Sequence, residues 1–301
     1  MRNTIKPFFA LAISLVLTAA HAAPIVWNGP ATTNTANNWS SPANWQGGVL
    51  PATTDDIKFF DLGAVPGTVP NITNINNTVD VNTTNGWVLY GNTNGFHTTF
   101  VADGVTLTIR SNLDVGTLVA DTVPRTPYAS VTGVNGTVIV INTNSYLAAK
   151  QGGVSGARAT LDMTGLGNLQ ATVKSVHIGT TGISPNQAPG STTFETGTLL
   201  LGRTNVITAV FSPAAYISGS ASLELGYNGA SSAGGQNFLY LGVTNSINVT
   251  SIRVGGTKGT AATMAFNPAF TNLNPVAVFR GTAGGATRVN YWATGDMGQR
   301  G

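Results

Sequence analysis

A short phrase, apolar–any–apolar–Gly, recurs down the chain and limits what it can fold into. It reads Leu113-Asp114-Val115-Gly116, Val176-His177-Ile178-Gly179, Leu199-Leu200-Leu201-Gly202 and Leu223-Glu224-Leu225-Gly226. Leu239-Tyr240-Leu241-Gly242 and Ile252-Arg253-Val254-Gly255 follow, and Leu89-Tyr90-Gly91 is a rough early copy. Side chains two apart on a strand point the same way, so each phrase offers two aliphatic groups to one face. The glycine then supplies a bend at low steric cost. Many short strands that each bury one face, at a spacing of about 23 to 25 residues in the best-spaced stretches, predict a coil stacked on coils. The glycine gaps between Gly179 and Gly255 are uneven, at 23, 24, 16 and 13 residues, which loops of different length accommodate.

A longer duplication points the same way. Residues 199–208 match residues 239–248 at six of ten positions, and weaker echoes pair 208–214 with 263–269 and 213–219 with 275–281. Runs such as Val105-Thr106-Leu107-Thr108-Ile109 and Thr137-Val138-Ile139-Val140-Ile141 read as strands, and nothing after the leader has helical periodicity. A β-sandwich also accommodates short strands with frequent turns. It does not require repeated phrases, so the expected class is all-β, a β-solenoid.

The first residues give the chain an address. Arg2 and Lys6 precede an apolar run from Phe8 to Leu17, and Ala20 and Ala22 occupy the small-residue positions before a cut. That is the build of a secretory signal peptide over residues 1–22, and the run is short of the roughly 20 residues that span a bilayer. Without Arg2 and Lys6 the chain carries 12 basic and 11 acidic residues and no basic cluster, which argues against a nucleic-acid partner. It has no cysteine, so stability rests on burial and backbone ladders.

Residues 23–62 differ from the rest, with Trp27, Trp39 and Trp45 set among Asn, Gly and Pro. A solenoid exposes a raw strand edge at its end, and three large aromatics held by turns would make a compact N-terminal cap. Residues 63–301 are then the repeats. The pattern Trp27-Asn-Gly … Asn38-Trp39 … Ala43-Asn44-Trp45-x-Gly47-Gly48 … Pro51 … Asp55-Asp56 resembles the opening of large secreted bacterial proteins with autotransporter-associated β-strand repeats. Leu241-Gly242-x-Thr244-Asn245-x-Ile247, Arg253-Val254-Gly255, Phe266-Asn267-Pro268, Phe279-Arg280-Gly281 and Trp292-x-x-Gly295-Asp296 are similar to segments of the same proteins. The resemblance implies a right-handed parallel β-helix at the cell surface or in the medium, with no catalytic residues to carry over. The chain departs from it in lacking a Pro-Glu-Pro-type sorting segment. Trp292-Ala-Thr-Gly295-Asp296 reads as the start of another rung, so the chain is expected to continue and its open edge to invite end-to-end self-association.

Candidate chemistry is sparse. Asp55 and Asp56 are adjacent, and on a strand would point to opposite faces, so a salt bridge with Lys58 or simple solvation is expected of them and not catalysis. The other acids stand singly. Asp114, His177 and Glu224 fall in the middle of the repeated phrase, a position expected to face outward and be solvated. Asp114 and Glu224 would be several rungs apart, beyond the about 5 to 9.5 Å of a glycosidase pair. Beyond the leader the two histidines, His97 and His177, without cysteine give no metal constellation and no Ser-His-acid arrangement. Trp27, Trp39 and Trp45 are the candidate carbohydrate-stacking residues, against a reading in which they fill the cap. Tyr240, between Leu239 and Leu241, is expected to face out. The sequence therefore predicts a secreted, non-catalytic scaffold, adhesin-like or matrix protein without a cofactor. The alternative is a β-helix that binds or processes cell-surface or extracellular polysaccharide.

Overall fold

The structure is a computed structural model that describes residues 24–29, 37–60, 77–92, 96–116, 125–150, 157–179, 196–211, 221–226, 235–255 and 261–295. The signal-peptide segment and the echo over 213–219 lie outside these residues.

Among the described residues the protein is all-β, and every strand pairing is parallel. The long strand Tyr128–Ala149 runs through three ladders and Leu166–Ile178 through two; counted by these parts, each segment from Ile57–Phe59 onward pairs with the third one after it while the stack continues, so the strands sort into three ladders, as in a β-solenoid. The first ladder stacks Asn77–Val79, Phe96–Val101, residues 128–132, Ala159–Asp162, Gly197–Leu200, Gln236–Leu241 and Ala261–Phe266. The second stacks Thr83–Asn85, Thr106–Ile109, residues 137–142, residues 166–173, Thr204–Ala209, Thr244–Val249 and Val276–Arg280. The third runs from Ile25–Val26 through Ile57–Phe59, Val88–Tyr90, Leu113–Val115, residues 146–149, residues 175–178, Leu223–Leu225 and Ser251–Val254 to Tyr291–Thr294. Nine strands at about 4.8 Å give the third ladder a length near 40 Å.

Strand alternation fills the interior. In the third ladder Ile57, Val88, Leu113, Leu147, Val176, Leu223 and Ile252 form one continuous inward row. Phe59, Tyr90, Val115, Ala149, Ile178 and Leu225 form the next. Leu161, Leu199 and Leu239 stack from the first ladder, and Ile109, Val140, Ala171, Ile207 and Ile247 from the second. These rows merge into one buried apolar cluster, the main stabilising term for a chain without disulfides.

The repeated phrase serves two ladders. Gly116, Gly179, Gly226 and Gly255 end third-ladder strands, whereas Gly202 and Gly242 follow first-ladder strands. The uneven glycine gaps are steps between ladders, and the 23–24-residue spacing is part of a rung. The duplication of 199–208 in 239–248 is one full rung, since Leu199 pairs with Leu239 and Thr204 with Thr244. The echo of 208 in 263 is not a register match, because Thr208 pairs with Asn248 and Thr263 with Phe238. Gly179, Gly226 and Gly255 have φ of 56°, 72° and 73°. Gly242 instead permits close approach, since a Cβ there would meet the Gly202 carbonyl oxygen. Three residues beyond each of these first-ladder glycines an asparagine turns inward. Asn205 Nδ2 donates to Gly202 O (2.9 Å) and to Asn245 Oδ1 (2.9 Å), and Asn245 Nδ2 donates to Gly242 O and Val276 O (both 2.9 Å).

Candidate functional site

Four places concentrate functional groups. The first holds the candidate stacking residues. Trp27, Trp39 and Trp45 are all buried. Trp45 meets Trp27 and Trp39 edge-on, with ring centroids 4.9 and 5.2 Å apart, and both of those rings lie about 6 Å from Phe59. Trp39 Nε1 donates to Asn77 Oδ1 and Trp45 Nε1 to the Trp39 carbonyl, each at 2.9 Å. The three rings pack on one another and on the first apolar rows, and none presents an open face on which a sugar could stack. Beside them a shallow cavity of about 250 Å³ is lined by Trp39, Ser40, Leu50, Pro51, Val81 and Thr83, among others, without a charged group.

Asp55 and Asp56 organise the loop that leads into Ile57–Phe59. Asp55 Oδ2 accepts from the Ala52 N–H (2.8 Å), and Asp56 Oδ1 accepts from the Trp87 N–H (3.0 Å). Lys58 lies over the Trp87 ring, 4.8 Å from its centroid. In place of a carboxylate–lysine pair or simple solvation, the two acids accept main-chain hydrogen bonds and Lys58 makes a cation–π contact.

The outer face of the first ladder carries aromatics. Phe238 and Tyr240 point away from the core, parallel and 5.7 Å apart, as alternation with Leu239 and Leu241 requires. The Arg158 guanidinium sits 5.1 Å from the Phe238 ring. On the same face Tyr128 donates its hydroxyl proton to Asp162 Oδ2 at 2.6 Å. Burial and that carboxylate push the Tyr128 phenol well above its usual range.

The fourth place was illegible in single strands. The middle positions of the third-ladder phrases stack in register as Leu89, Asp114, Ala148, His177, Glu224 and Arg253. Leu89 and Ala148 lie outside the apolar cluster that holds their neighbours Val88 and Leu147, so the row points away from the core. It is nevertheless buried throughout: Glu224 is 0 % exposed, and Asp114, His177 and Arg253 are equally covered. Asp114, His177 and Glu224 face away from the core as expected but are not at the surface, because alternation fixes the direction of a side chain and not what lies over it. Asp114 and Glu224 are three ladder steps apart, about 14 Å.

Within this row Arg253 Nη1 donates to Glu224 Oε1 at 2.9 Å, while Glu224 Oε2 and His177 Nδ1 are buried without a hydrogen-bond partner. Burial outweighs the attraction of Arg253 and pushes the Glu224 carboxyl up to about 7. Burial, reinforced by the Lys150 and Lys174 ammonium groups, lowers His177 to about 3 and keeps its imidazole neutral. The Tyr146 ring packs 5.1 Å from His177. Beside the row, Ser222 Oγ donates to the Phe211 carbonyl (2.6 Å) and accepts from Ser251 N–H (3.2 Å), so it is held as a structural hydroxyl. His97, in contrast, sits inside the first ladder, with Nε2 2.6 Å from the Phe60 carbonyl oxygen.

Among the described residues no group of three or more His, Asp or Glu could hold a metal ion, and no helix is long and apolar enough to cross a membrane. Compared with family profiles, curated proteins and solved structures, the chain matches none.

Proposed function

We propose that the chain is a secreted, non-catalytic structural element, an adhesin-like or matrix scaffold built as a right-handed parallel β-helix with the tryptophan cluster as its N-terminal cap. The observation that carries this reading is the in-register stacking of three ladders over the described length, with the nearest opposite charges paired in a covered row. Such a body is stiff and presents regular outer faces, so its work is done by length and surface. The test is expression with the native leader, followed by fractionation and limited proteolysis. The chain is expected outside the cytoplasm, with its ladder residues protected. Retention in the cytoplasm, or a polysaccharide-cleaving activity abolished by Asp162→Asn, would overturn the scaffold reading.

A second reading, polysaccharide binding, draws on the outward Phe238–Tyr240 pair with Arg158, Tyr128 and Asp162 on one face. Aromatic faces with neighbouring hydrogen-bonding groups suit sugar rings. Retention on an insoluble glycan, lost in Tyr240→Ala and kept in Trp45→Phe, would favour it.

A further inference from the structure

The outer face of the first ladder holds a trough between two sets of aromatic rings. Tyr128, Thr160, Thr198 and Phe238 are register partners in consecutive strands. The two rings therefore stand three ladder steps apart, about 14 Å, with only threonines between them. In the next outward row Asp162, Leu200 and Tyr240 stack in the same way, and the Tyr240 ring lies parallel to Phe238. Short side chains at 160 and 198 thus floor a depression, with Tyr128 at one end and the Phe238–Tyr240 pair at the other. All three rings are half-buried.

The two flanks of the trough carry opposite charges that do not meet. Arg158 and Asp162 are four residues apart along one strand direction, about 13 Å. Arg158 reaches over the floor, where Nη1 donates to Thr198 Oγ1 at 3.4 Å and the guanidinium sits 5.1 Å from the Phe238 ring. Among the described residues no carboxylate pairs with it. Phe238 and Thr198 thus orient a planar cation whose charge is uncompensated. Asp162 is held on the other flank, with Oδ2 accepting from the Tyr128 hydroxyl at 2.6 Å and Oδ1 from the Thr164 N–H at 2.8 Å. An ionised carboxylate has about four acceptor sites, so about two remain for a ligand.

We infer that this trough takes an acidic polysaccharide, with a uronate carboxylate on Arg158 and hydroxyl groups of the same sugar chain on Asp162. The inference rests on the polysaccharide-binding reading and names the class of glycan. A guanidinium fork fits a planar carboxylate, and the contact is charge-assisted. A uronic acid carries its carboxylate on one edge of the ring and hydroxyl groups on the other, and the trough offers a cation on one flank and an acceptor on the other. A neutral glycan leaves the Arg158 charge unmatched. A sulfated chain with charge on both edges brings like charge against Asp162.

The test titrates the purified chain with polygalacturonate, alginate, the carboxyl-reduced form of polygalacturonate, and dextran sulfate. The uronate polymers are expected to bind about tenfold or more tighter than the reduced one, and Arg158→Gln should abolish that difference. Arg158→Lys keeps the charge without the fork, and should recover only part of it with an unchanged thermal midpoint. Arg203→Gln, which removes an exposed guanidinium on the second-ladder side, should leave binding intact. Equal binding of the acidic and reduced polymers, lost only in Tyr240→Ala, overturns the inference and keeps the polysaccharide reading. Binding to none of the four overturns the inference, and the insoluble-glycan test then decides that reading on its own. Dextran sulfate bound as tightly as polygalacturonate, or an equal loss in Arg203→Gln, reduces the contact to general charge attraction and overturns it too.

Discussion

The third ladder buries both of its faces, and the two are built from opposite chemistry. Inward, Leu113, Leu147, Val176, Leu223 and Ile252 stack as an aliphatic row. Outward, one residue along the same strands, Asp114, Ala148, His177, Glu224 and Arg253 stack under equal cover. The inner row gains free energy from every group removed from water. The outer row loses hydration of charged groups and recovers it only where a partner stands in register. One strand can thus carry a robust face and a conditional one, with the glycine bend common to both.

The sharpest way to break this comparison is to remove one half of the pair. Arg253→Met leaves Glu224 buried without its cation and is expected to cost about 3–5 kcal/mol at alkaline pH, where the carboxyl of the paired form is ionised. Leu225→Ala, next to Glu224 on the inward face, is expected to cost about 2–5 kcal/mol. Denaturant unfolding measures both. The two should part with pH, because lowering the pH protonates Glu224 and relieves the Arg253→Met defect, while Leu225→Ala keeps its own cost. Replacing the pair together, as Glu224→Leu with Arg253→Met, should be neutral or stabilising. A double variant as weak as Arg253→Met would mean that the row is held by packing and not by charge.

The ionisable row also predicts the pH profile of the whole protein. Glu224 is raised from 4.5 to about 7 on folding, so its folded form holds the proton more tightly. Its contribution is present below pH 4.5 and is lost as pH rises toward 7. His177 is lowered from 6.5 to about 3, so its contribution is present above pH 6.5 and is lost as pH falls toward 3. The slopes oppose one another between pH 4.5 and 6.5, where stability should be nearly flat. Glu224→Gln leaves the His177 slope alone, and stability should then rise with pH through that window. His177→Asn should give the reverse. Over their full ranges the Glu224 slope spans on the order of 3 kcal/mol and the His177 slope on the order of 5 kcal/mol. Parallel profiles for the wild type and both variants would remove these groups from the account.

How much of this was legible varies with where the controlling physics lies. The inward rows are readable because burial of Leu223 and Leu225 is written in their spacing and repeats with each copy. The fold class follows from that. The assignment of phrases to ladders was not readable, because Leu199–Gly202 and Leu223–Gly226 look alike while their glycines answer different needs. One permits a close carbonyl approach and the other a φ of 72°. The covered outer row was missed because nothing inside Leu113-Asp114-Val115 says what lies over Asp114. A usable signal was present, since aligning consecutive third-ladder phrases places Glu224 beside Arg253. Trp27, Trp39 and Trp45 stood out by composition, but their edge-on packing and the Asn77 hydrogen bond join residues far apart in the chain and are not written in any one segment.

The smallest effect isolates the bend from the packing on either side of it. Gly295 ends the last third-ladder strand with a φ of 86°, and a Cβ there would meet nothing within 4 Å. Gly295→Ala therefore tests backbone conformation alone, and should cost about 1–2 kcal/mol, the left-handed penalty for an L-residue. Gly295→Asn should cost less, because its short polar side chain tolerates that region. Thermal denaturation of the two variants reads the difference. Equal midpoints for Ala, Asn and Gly would mean that the last bend is not held in the folded monomer. The glycines at 179, 226 and 255 would then be the ones that pin the third ladder, because their bends carry strands on both sides.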